Sequence, residues 1–446
     1  MLQKTGFTPG QILAAGFALI ILAGSILLSL PISSRSGEGI PFIDGLFISA
    51  SATCVTGLTV YDIFSQFNFF GQLIILLLIQ TGGLGFMGIA MTFAFLSGSK
   101  IGLFQRSILM ESIGTLHMSG VVLIIRRMLL GALLFESVGA VIIASRFIPM
   151  LGLGEGLWYG VFYAVSAFCN AGFDLSGRWQ PLSSLTGFQN DYILQSTIMV
   201  LLVCGGIGFI VWNDIIDHRF HFHKYTLHSK IMLTFTAALI FLGAAAFLLI
   251  ERRCAFAHMG AGEKVLNGFF AAVSPRTAGF NTVSYSDMTP AGRFLTMLLM
   301  FIGAGPGSTG GGIKVTAFAT LLLSVYSSAR CRRDLSIFHR RLEDDAQKQV
   351  FSNISLYLLA VLACSFILLL DNPALNTESC FFEALSAMGT VGLTMGITPE
   401  LGTVSRLCLI GLMYSGRLGS ITIAIAAARG KIVPKIRYPR EKIGLG

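Results

Sequence analysis

Four short stretches of this 446-residue chain end alike, with Ser, Thr and small residues closing on a glycine, an apolar residue and a polar one. They are Ser51-Ala52-Thr53-Cys54-Val55-Thr56-Gly57-Leu58-Thr59, Ser166-Ala167-Phe168-Cys169-Asn170-Ala171-Gly172-Phe173-Asp174, Ser274-Pro275-Arg276-Thr277-Ala278-Gly279-Phe280-Asn281 and Ser386-Ala387-Met388-Gly389-Thr390-Val391-Gly392-Leu393-Thr394. The glycines are 115, 107 and 113 residues apart. A period that long means four copies of a whole substructure on one polypeptide. Four equivalent loops on one chain can stand around a central axis, the arrangement that lines a pore.

Composition says where such an axis would lie. The chain is 54% hydrophobic and 12% charged, with a mean hydropathy of +0.76. Soluble domains carry about 25% charged residues, so this is the composition of an integral membrane protein. Apolar stretches near or above the ~18–20 residues that span a bilayer recur, clear ones at 11–30, 71–95, 121–143, 193–211, 231–250, 350–370 and 407–428. The first has Lys4 ahead of it, as a secretory leader would. Its length, the lack of an Ala-x-Ala site and its place at the head of the first unit make it a retained helix. The eight cysteines form no CxxC pair and sit mostly in apolar segments, as buried small residues rather than a disulfide framework.

Each unit reads as an apolar span, a polar stretch, a short segment, the glycine loop and a second span. The short segments, 41–52, 155–168, 262–274 and 375–387, are about half a spanning helix and are expected to enter the membrane and turn back. Irregular backbone at that depth is tolerated only where it is buried or lines water. The fold class expected is all-α integral membrane: four pseudo-symmetric helix–pore loop–helix repeats around a central ion pore, with eight spanning helices and four re-entrant pore helices. The expected boundaries are 1–98, 99–218, 219–328 with a broken second helix, 329–430, and a basic tail at 431–446. Most of the 31 basic residues lie between the repeats or in that tail, among them Arg126, Arg127, Arg219, Arg330, Arg340 and Arg437. The positive-inside rule then puts both termini and the connectors in the cytoplasm and the loop mouths outside. The net charge of +9 therefore reports orientation, not a nucleic-acid partner.

To pass a bare cation, a pore must replace its hydration shell with oxygens, and rings of backbone carbonyls do this. Aiming carbonyls inward calls for backbone angles that glycine adopts cheaply. The expected ion-binding residues are Val55, Thr56 and Gly57; Asn170, Ala171 and Gly172; Thr277, Ala278 and Gly279; and Thr390, Val391 and Gly392. Thr59, Asp174, Asn281 and Thr394 suit an outer vestibule. One such loop could be a tight turn between helix ends; four at matching places argue for the pore.

The run Gly303-Ala304-Gly305-Pro306-Gly307-Ser308-Thr309-Gly310-Gly311-Gly312 splits the second span of the third repeat. A phosphate-binding P-loop is excluded, because Ile313 separates the last glycine from Lys314 and no strand precedes the run. A Gly/Pro interruption in a membrane helix has to line a cavity, so the run is expected to gate, moving aside; a rigid kink is the alternative. Gly83-Leu84-Gly85-Phe86-Met87-Gly88 and Gly205-Gly206-Ile207-Gly208-Phe209 lie inside apolar spans and are expected to serve close helix packing rather than a dinucleotide. Arg417 interrupts the last span, and a charge at that depth is a functional candidate; pairing with Asp214 or Glu136 is the structural alternative. Arg276 is expected beside an acid behind the loop. His218, His221, His223 and His228 read as a solvated connector touching a partner rather than a metal site.

The four-repeat pattern, and Thr53-Cys54-Val55-Thr56-Gly57-Leu58-Thr59 above all, resembles the Trk/Ktr/HKT superfamily of potassium transporters over essentially the whole chain. Within it the bacterial Ktr membrane subunit (KtrB-like) is most similar, because the chain starts at the first repeat helix. The resemblance implies potassium as the cargo, since Gly in all four loops goes with K+ and Ser in the first with Na+. It implies that 303–312 is a gate below the filter, with Arg417 as an electrostatic barrier or a clamp on that loop's carbonyls. It also implies a homodimer in the bacterial plasma membrane on a cytoplasmic RCK-type ring (KtrA-like) that binds the regulatory nucleotide, with Na+ as an activator in some systems. No catalytic constellation is found, so the chain is not expected to be an enzyme. An ion-coupled secondary transporter, sodium- or proton-coupled, is the alternative; it would show paired inverted halves.

Overall fold

A computed structural model of the chain describes residues 8–85, 88, 102, 106–110, 120–219, 221–331, 334–343 and 345–419. The structure is predominantly helical; among the described residues one two-stranded sheet pairs Ser336–Ile337 with Arg340–Arg341. The tail at 431–446, Lys4 and the glycine-run residues Phe86 and Met87 lie outside the described residues.

Among the described residues four helices are long and apolar enough to cross a bilayer: Pro9–Ser29, Val121–Leu151, Leu227–Ile250 and Ala346–Asp371. At 1.5 Å per residue each is at least ~30 Å long. Tyr192–Ile207 and Phe209–His218 meet at 93° and count as a fifth span if taken together. The other three expected spans are shorter as described: Phe69–Gly83, the pair Pro290–Phe301 and Val315–Ala329, and Thr403–Leu418. The first and last of these run toward residues outside the description.

Local chemistry sets the helix ends. Thr8 and Gln11 form a capping box and Pro9 opens the first helix. Glu251 and Asp371, at the ends of two long helices, cap the partner helix that returns beside each. Glu251 accepts from Thr289 N–H at 3.0 Å and from its hydroxyl at 2.6 Å. Asp371 accepts from Ser405 N–H at 3.2 Å and from its hydroxyl at 2.6 Å.

Four short helices, Phe42–Thr53, Leu153–Phe168, Ala261–Val273 and Thr377–Gly389, fall within a residue or two of the segments expected from the sequence. Their inner halves are buried on every side, as from Phe47 to Thr56, which is the signature of a helix inside a core. The long helices are the reverse. Leu19 is 68% exposed, Val141 69% and Leu242 71%, and a surface so apolar is stable against hydrocarbon rather than water.

Small residues bring each long helix onto the short helix that follows. Ser49 Oγ donates to Ile21 O at 2.7 Å, and a Cβ on Gly160 would lie 2.6 Å from Ala140 O. Polar contacts then tie neighbouring units in sequence. Trp158 Nε1 donates to Gln72 Oε1 at 2.8 Å, Asn267 Nδ2 to Gln189 O at 3.0 Å, and Arg293 Nε to Glu378 Oε1 at 2.7 Å. Arg406 pairs with Asp44, and Tyr414 donates to Ala14 O at 2.6 Å, so the last unit closes on the first.

Candidate functional site

Each short helix carries an acid in its first turn, Asp44, Glu155, Glu263 and Glu378. A carboxylate there complements the positive end of the helix dipole, and the opposite end carries roughly half a negative charge. Those negative ends lead into the four glycine loops. All four glycines have left-handed backbones: φ is 98° at Gly57, 72° at Gly172, 79° at Gly279 and 89° at Gly392. They meet one another. A Cβ on Gly57 would lie 2.5 Å from Ala171 O and 3.3 Å from the Cα atoms of both Gly172 and Gly392. One on Gly172 would lie 2.6 Å from Gly279 Cα, and one on Gly279 would lie 2.9 Å from Val391 O. Thr56 O stands against Gly392 and closes the ring. In each case the carbonyl that precedes a glycine lies against the glycine of an adjoining loop.

A second left-handed residue stands two before each glycine: Val55 at 58°, Asn170 at 58°, Thr277 at 70° and Thr390 at 49°. The residue between, Thr56, Ala171, Ala278 or Val391, is not left-handed. Alternating hands turn successive peptide planes so that their carbonyls face the same side, whereas an extended chain points them alternately to either side. For an L-residue the left-handed state costs roughly 1–2 kcal/mol, so three β-branched residues held there mark a built feature. The sequence did not signal it, because Val and Thr favour extended backbone.

The serine that opens each stretch holds the loop. Ser51 O accepts from Thr56 N–H at 2.8 Å and Ser51 Oγ from Gly57 N–H at 3.0 Å. Ser386 repeats both bonds with Val391 and Gly392, at 2.8 and 3.1 Å. Ser166 O accepts from Ala171 N–H at 2.7 Å and its hydroxyl donates to Phe173 O at 2.7 Å. Ser274, one residue nearer its glycine, takes Ala278 N–H at 2.9 Å and donates to Phe280 O. Recurrence of Ser at this spacing was the available signal for this role.

Beyond the ring, the vestibule candidates are tied back. Asp174 Oδ1 accepts from Ser176 N–H at 2.8 Å, and Thr394 Oγ1 donates to Glu383 Oε1 at 3.1 Å. Asn281 N–H donates to Ser184 Oγ at 3.2 Å. Glu383 is fully buried in the fourth short helix; the sequence reading passed over it. Burial pushes the Asp174 carboxyl up to about 6, against the lowering effect of the bond from Ser176.

On the other side of the ring the 303–312 loop packs directly against it. The loop closes on itself through Gly303 N–H to Ile313 O at 2.8 Å. It is bound to the second unit by Gly305 N–H to Gly206 O at 2.9 Å and by Phe209 N–H to Gly307 O at 2.8 Å. Close packing therefore explains Gly205 and Gly206, but not Gly208. That glycine has φ of 101° and stands where the helix bends, with Pro306 O 2.6 Å from where its Cβ would be. The expectation of close helix packing is corrected here: at Gly208 the packed partner is the 303–312 loop, not a helix, and it occupies the space that the 93° bend provides.

The geometry is thus a ring of carbonyls with a polar loop seated against it, on a helical scaffold with an apolar exterior. The sequence matches the TrkH family of cation transport proteins over residues 11–435. This chain is a member of that family. It is 40% identical over 446 residues to the potassium/sodium uptake protein NtpJ of Enterococcus hirae, covering 98% of this chain and 97% of that protein. It is 39% identical over 449 residues to the Ktr system potassium uptake protein B of Bacillus subtilis, covering 99% and 97%. The crystal structure of the potassium transporter TrkH from Vibrio parahaemolyticus superposes with a TM-score of 0.73 at 19% identity, covering 96% of this chain and 86% of that one. At that identity the likeness speaks for the fold. A TrkH-family chain is a cation transporter, not an enzyme.

In this TrkH-family chain Arg417 takes carbonyls, not acids. It donates to Thr309 O in the 303–312 loop, and to Gly82 O and to Gly83 O, the last at 3.0 Å. The acids offered as alternatives are engaged elsewhere. Asp214 accepts from the Thr226 and Ser229 hydroxyls, each at 2.6 Å, and Glu136 from Gln80 at 3.0 and 3.1 Å. Lys314, considered above only for a P-loop, donates to Gly310 O at 2.8 Å. Two cations therefore hold adjacent carbonyls of the loop. The acid expected beside Arg276 is not there. Its guanidinium donates to Thr236 Oγ1 at 3.3 Å, and Nε has no hydrogen-bond partner. The reason is its surroundings, a small cleft lined by Leu202, Ile207, Val273 and Ala304. Among the described residues no group of three His, Cys, Asp or Glu is placed to hold a metal.

Proposed function

We propose that this chain conducts potassium into a bacterial cell through the ring made by Gly57, Gly172, Gly279 and Gly392. The observation that carries the reading is that ring, with a left-handed residue two before each glycine. Carbonyls held by a fixed backbone can replace the hydration shell of a cation, and the short-helix ends add negative potential there. Relatives matched over nearly their whole length, one named a potassium uptake protein and one a potassium/sodium uptake protein, support potassium as a cargo. The membrane potential supplies ~2.3 kcal/mol per charge per 100 mV, so inward flow needs no reaction on this chain.

In this reading the chain is four repeats, 1–98, 99–218, 219–328 and 329–430, each with two spans and a re-entrant pore helix. The filter is formed by 55–57, 170–172, 277–279 and 390–392. The 303–312 loop is the gate, and Arg417 and Lys314 are its clamps. Basic connectors and tail face the cytoplasm, where a homodimer meets a nucleotide-binding RCK-type ring.

The test is 86Rb+ uptake by purified protein in liposomes, with K+ and Na+ as competitors. Saturable uptake that survives collapse of sodium and proton gradients is expected; uptake that vanishes with either gradient would favour a symporter. Gly57→Ser is expected to erode K+ over Na+ discrimination, by about tenfold or more if one carbonyl contact of ~1.4 kcal/mol is lost. Unchanged selectivity would remove the filter assignment.

The Asp174 carboxyl, displaced upward to about 6, is charged at pH 7.5 and becomes neutral as pH falls through 6. Half-saturation for Rb+ is therefore expected to rise several-fold between pH 7.5 and 5, the order of one charge lost beside the ion path. Asp174→Asn should flatten that profile; an identical pH profile in the variant would exclude Asp174.

A further inference from the structure

The left-handed residue two before each glycine is a backbone feature in all four loops, but its side chain behaves differently in one. In the first loop it is Val55, with a methyl group against Gly82. In the other three it is Asn170, Thr277 or Thr390, each no more than 1% exposed. Two of these side chains bond the 303–312 loop directly, and the third, packed against Gly310, is bonded by the first. Thr309 Oγ1 lies 3.1 Å from Asn170 Oδ1 and 3.2 Å from Phe168 O. Asn170 Nδ2 donates in turn to Thr277 Oγ1 at 3.3 Å. Thr390 Oγ1 accepts from Gly311 N–H at 3.0 Å. One loop thus reaches the strained position of the second, third and fourth glycine loops at once, while Arg417 holds the carbonyl of the same Thr309.

We propose that Thr309, Asn170 and Thr390 are positioning residues for ion specificity: the 303–312 loop, when seated, clasps three of the four filter loops in the geometry that discriminates K+ from Na+. The proposal rests on the filter and gate reading above and adds to it that the two parts are one device. A residue held left-handed returns to a relaxed backbone unless its surroundings fix it. Here the opening serines hold the backbone, and the bonds to the strained residues' side chains at Asn170 and Thr390 come from the segment that moves in this reading. When the loop leaves, Asn170 and Thr390 lose polar partners together and Thr277 keeps only its bond from Asn170, so the carbonyls beside them are freed and the ring becomes less selective. A loop that only plugged the path would leave the selectivity of the ring unchanged. The clasp also accounts for an asymmetry: the one loop without a polar residue at this position is the one whose neighbours, Gly82 and Gly83, are held by Arg417 instead.

The experiment uses the full chain in liposomes and reads the ratio of Na+ to K+ concentrations that half-inhibit 86Rb+ uptake, alongside thermal unfolding. Thr309→Val and Thr390→Val remove a hydroxyl at nearly constant volume. Thr309→Ser and Thr390→Ser keep it. Gly57→Ser is the control for the filter itself. Each Val variant is expected to lower the ratio by about five- to tenfold, the order of one buried hydrogen bond. The Ser variants should stay within twofold of the parent, and the double Val variant should fall short of the product of the single effects. If Gly57→Ser shifts the ratio and both Val variants leave it unchanged, the filter reading stands and the clasp is overturned. If none of the three shifts it, the filter reading falls and the clasp with it. If the Ser variants shift the ratio as far as the Val variants, packing rather than the hydroxyl is responsible and the clasp is overturned. Should Thr390→Val not reconstitute, Thr309→Val, which lies outside the filter loops, carries the test alone.

Discussion

Gly279→Ala is expected to abolish uptake while leaving a folded protein. Two independent penalties meet at this position. The backbone has φ of 79°, which costs an L-residue roughly 1–2 kcal/mol. The added methyl would stand 2.7 Å from Gly172 Cα and 2.9 Å from Val391 O. Neither neighbour is the end of a flexible side chain; both are backbone of adjoining loops, themselves fixed by Ser166 and Ser386. Overpacking of this kind costs roughly a further 1–3 kcal/mol. The combined strain, on the order of 2–5 kcal/mol, corresponds to a fall of about 30-fold to more than a thousandfold in the population of the intact ring. Complementation of a potassium-uptake-deficient bacterium at low external K+, with 86Rb+ flux in liposomes, measures it. Flux within twofold of the parent would mean that the ring is not the ion path.

Removal of residues 304–311 is expected to act in the opposite sense, raising maximal uptake by about tenfold or more. The loop is wedged between the ring and the last helix: a Cβ on Gly311 would lie 2.9 Å from Thr390 Cγ2 and 3.0 Å from Gly416 O. It is held there by Gly206 O, Thr390 Oγ1, Lys314 and Arg417. At ~0.5–1.5 kcal/mol for each bond, these four contacts amount to some 2–6 kcal/mol in favour of the seated state, enough to keep the open state a small minority. Deletion removes the obstruction and its fastenings together, so flux should also lose its dependence on any regulatory partner. Unchanged or lower flux from a folded deletion variant would remove the gate assignment. The clasp adds a second expectation for the same variant, a fall in K+ over Na+ discrimination accompanying the gain in flux.

Much of this was legible in the sequence because it depends on local pattern. Spans declare themselves by apolar length, the short helices by being too short to cross, and the four loops by the recurrence of Ser and Gly. The boundaries of the short helices agree to within a residue or two because apolar runs and helix-breaking neighbours fix them. The left-handed state of Val55, Thr277 and Thr390 was not legible, since it opposes their own preference and is imposed by packing. Nor was the bend at Gly208, which looked like one more packing glycine until the loop from the third unit was seen lying against it. Arg276 misled for the same reason: a buried cation suggests an acid, but only the neighbours in space say whether one is near.

The sequence by itself determined that four alike stretches share one chain, that the chain is that of a membrane protein, and that a glycine stands at the same place in each stretch. These follow from periodicity and from the cost of burying polar groups, both of which act along the chain. Tertiary structure alone decided that the four glycines meet in a ring, that one loop seats against that ring, and that Arg417 holds carbonyls rather than a carboxylate. Those depend on residues tens to hundreds of positions apart, whose contact no local preference encodes.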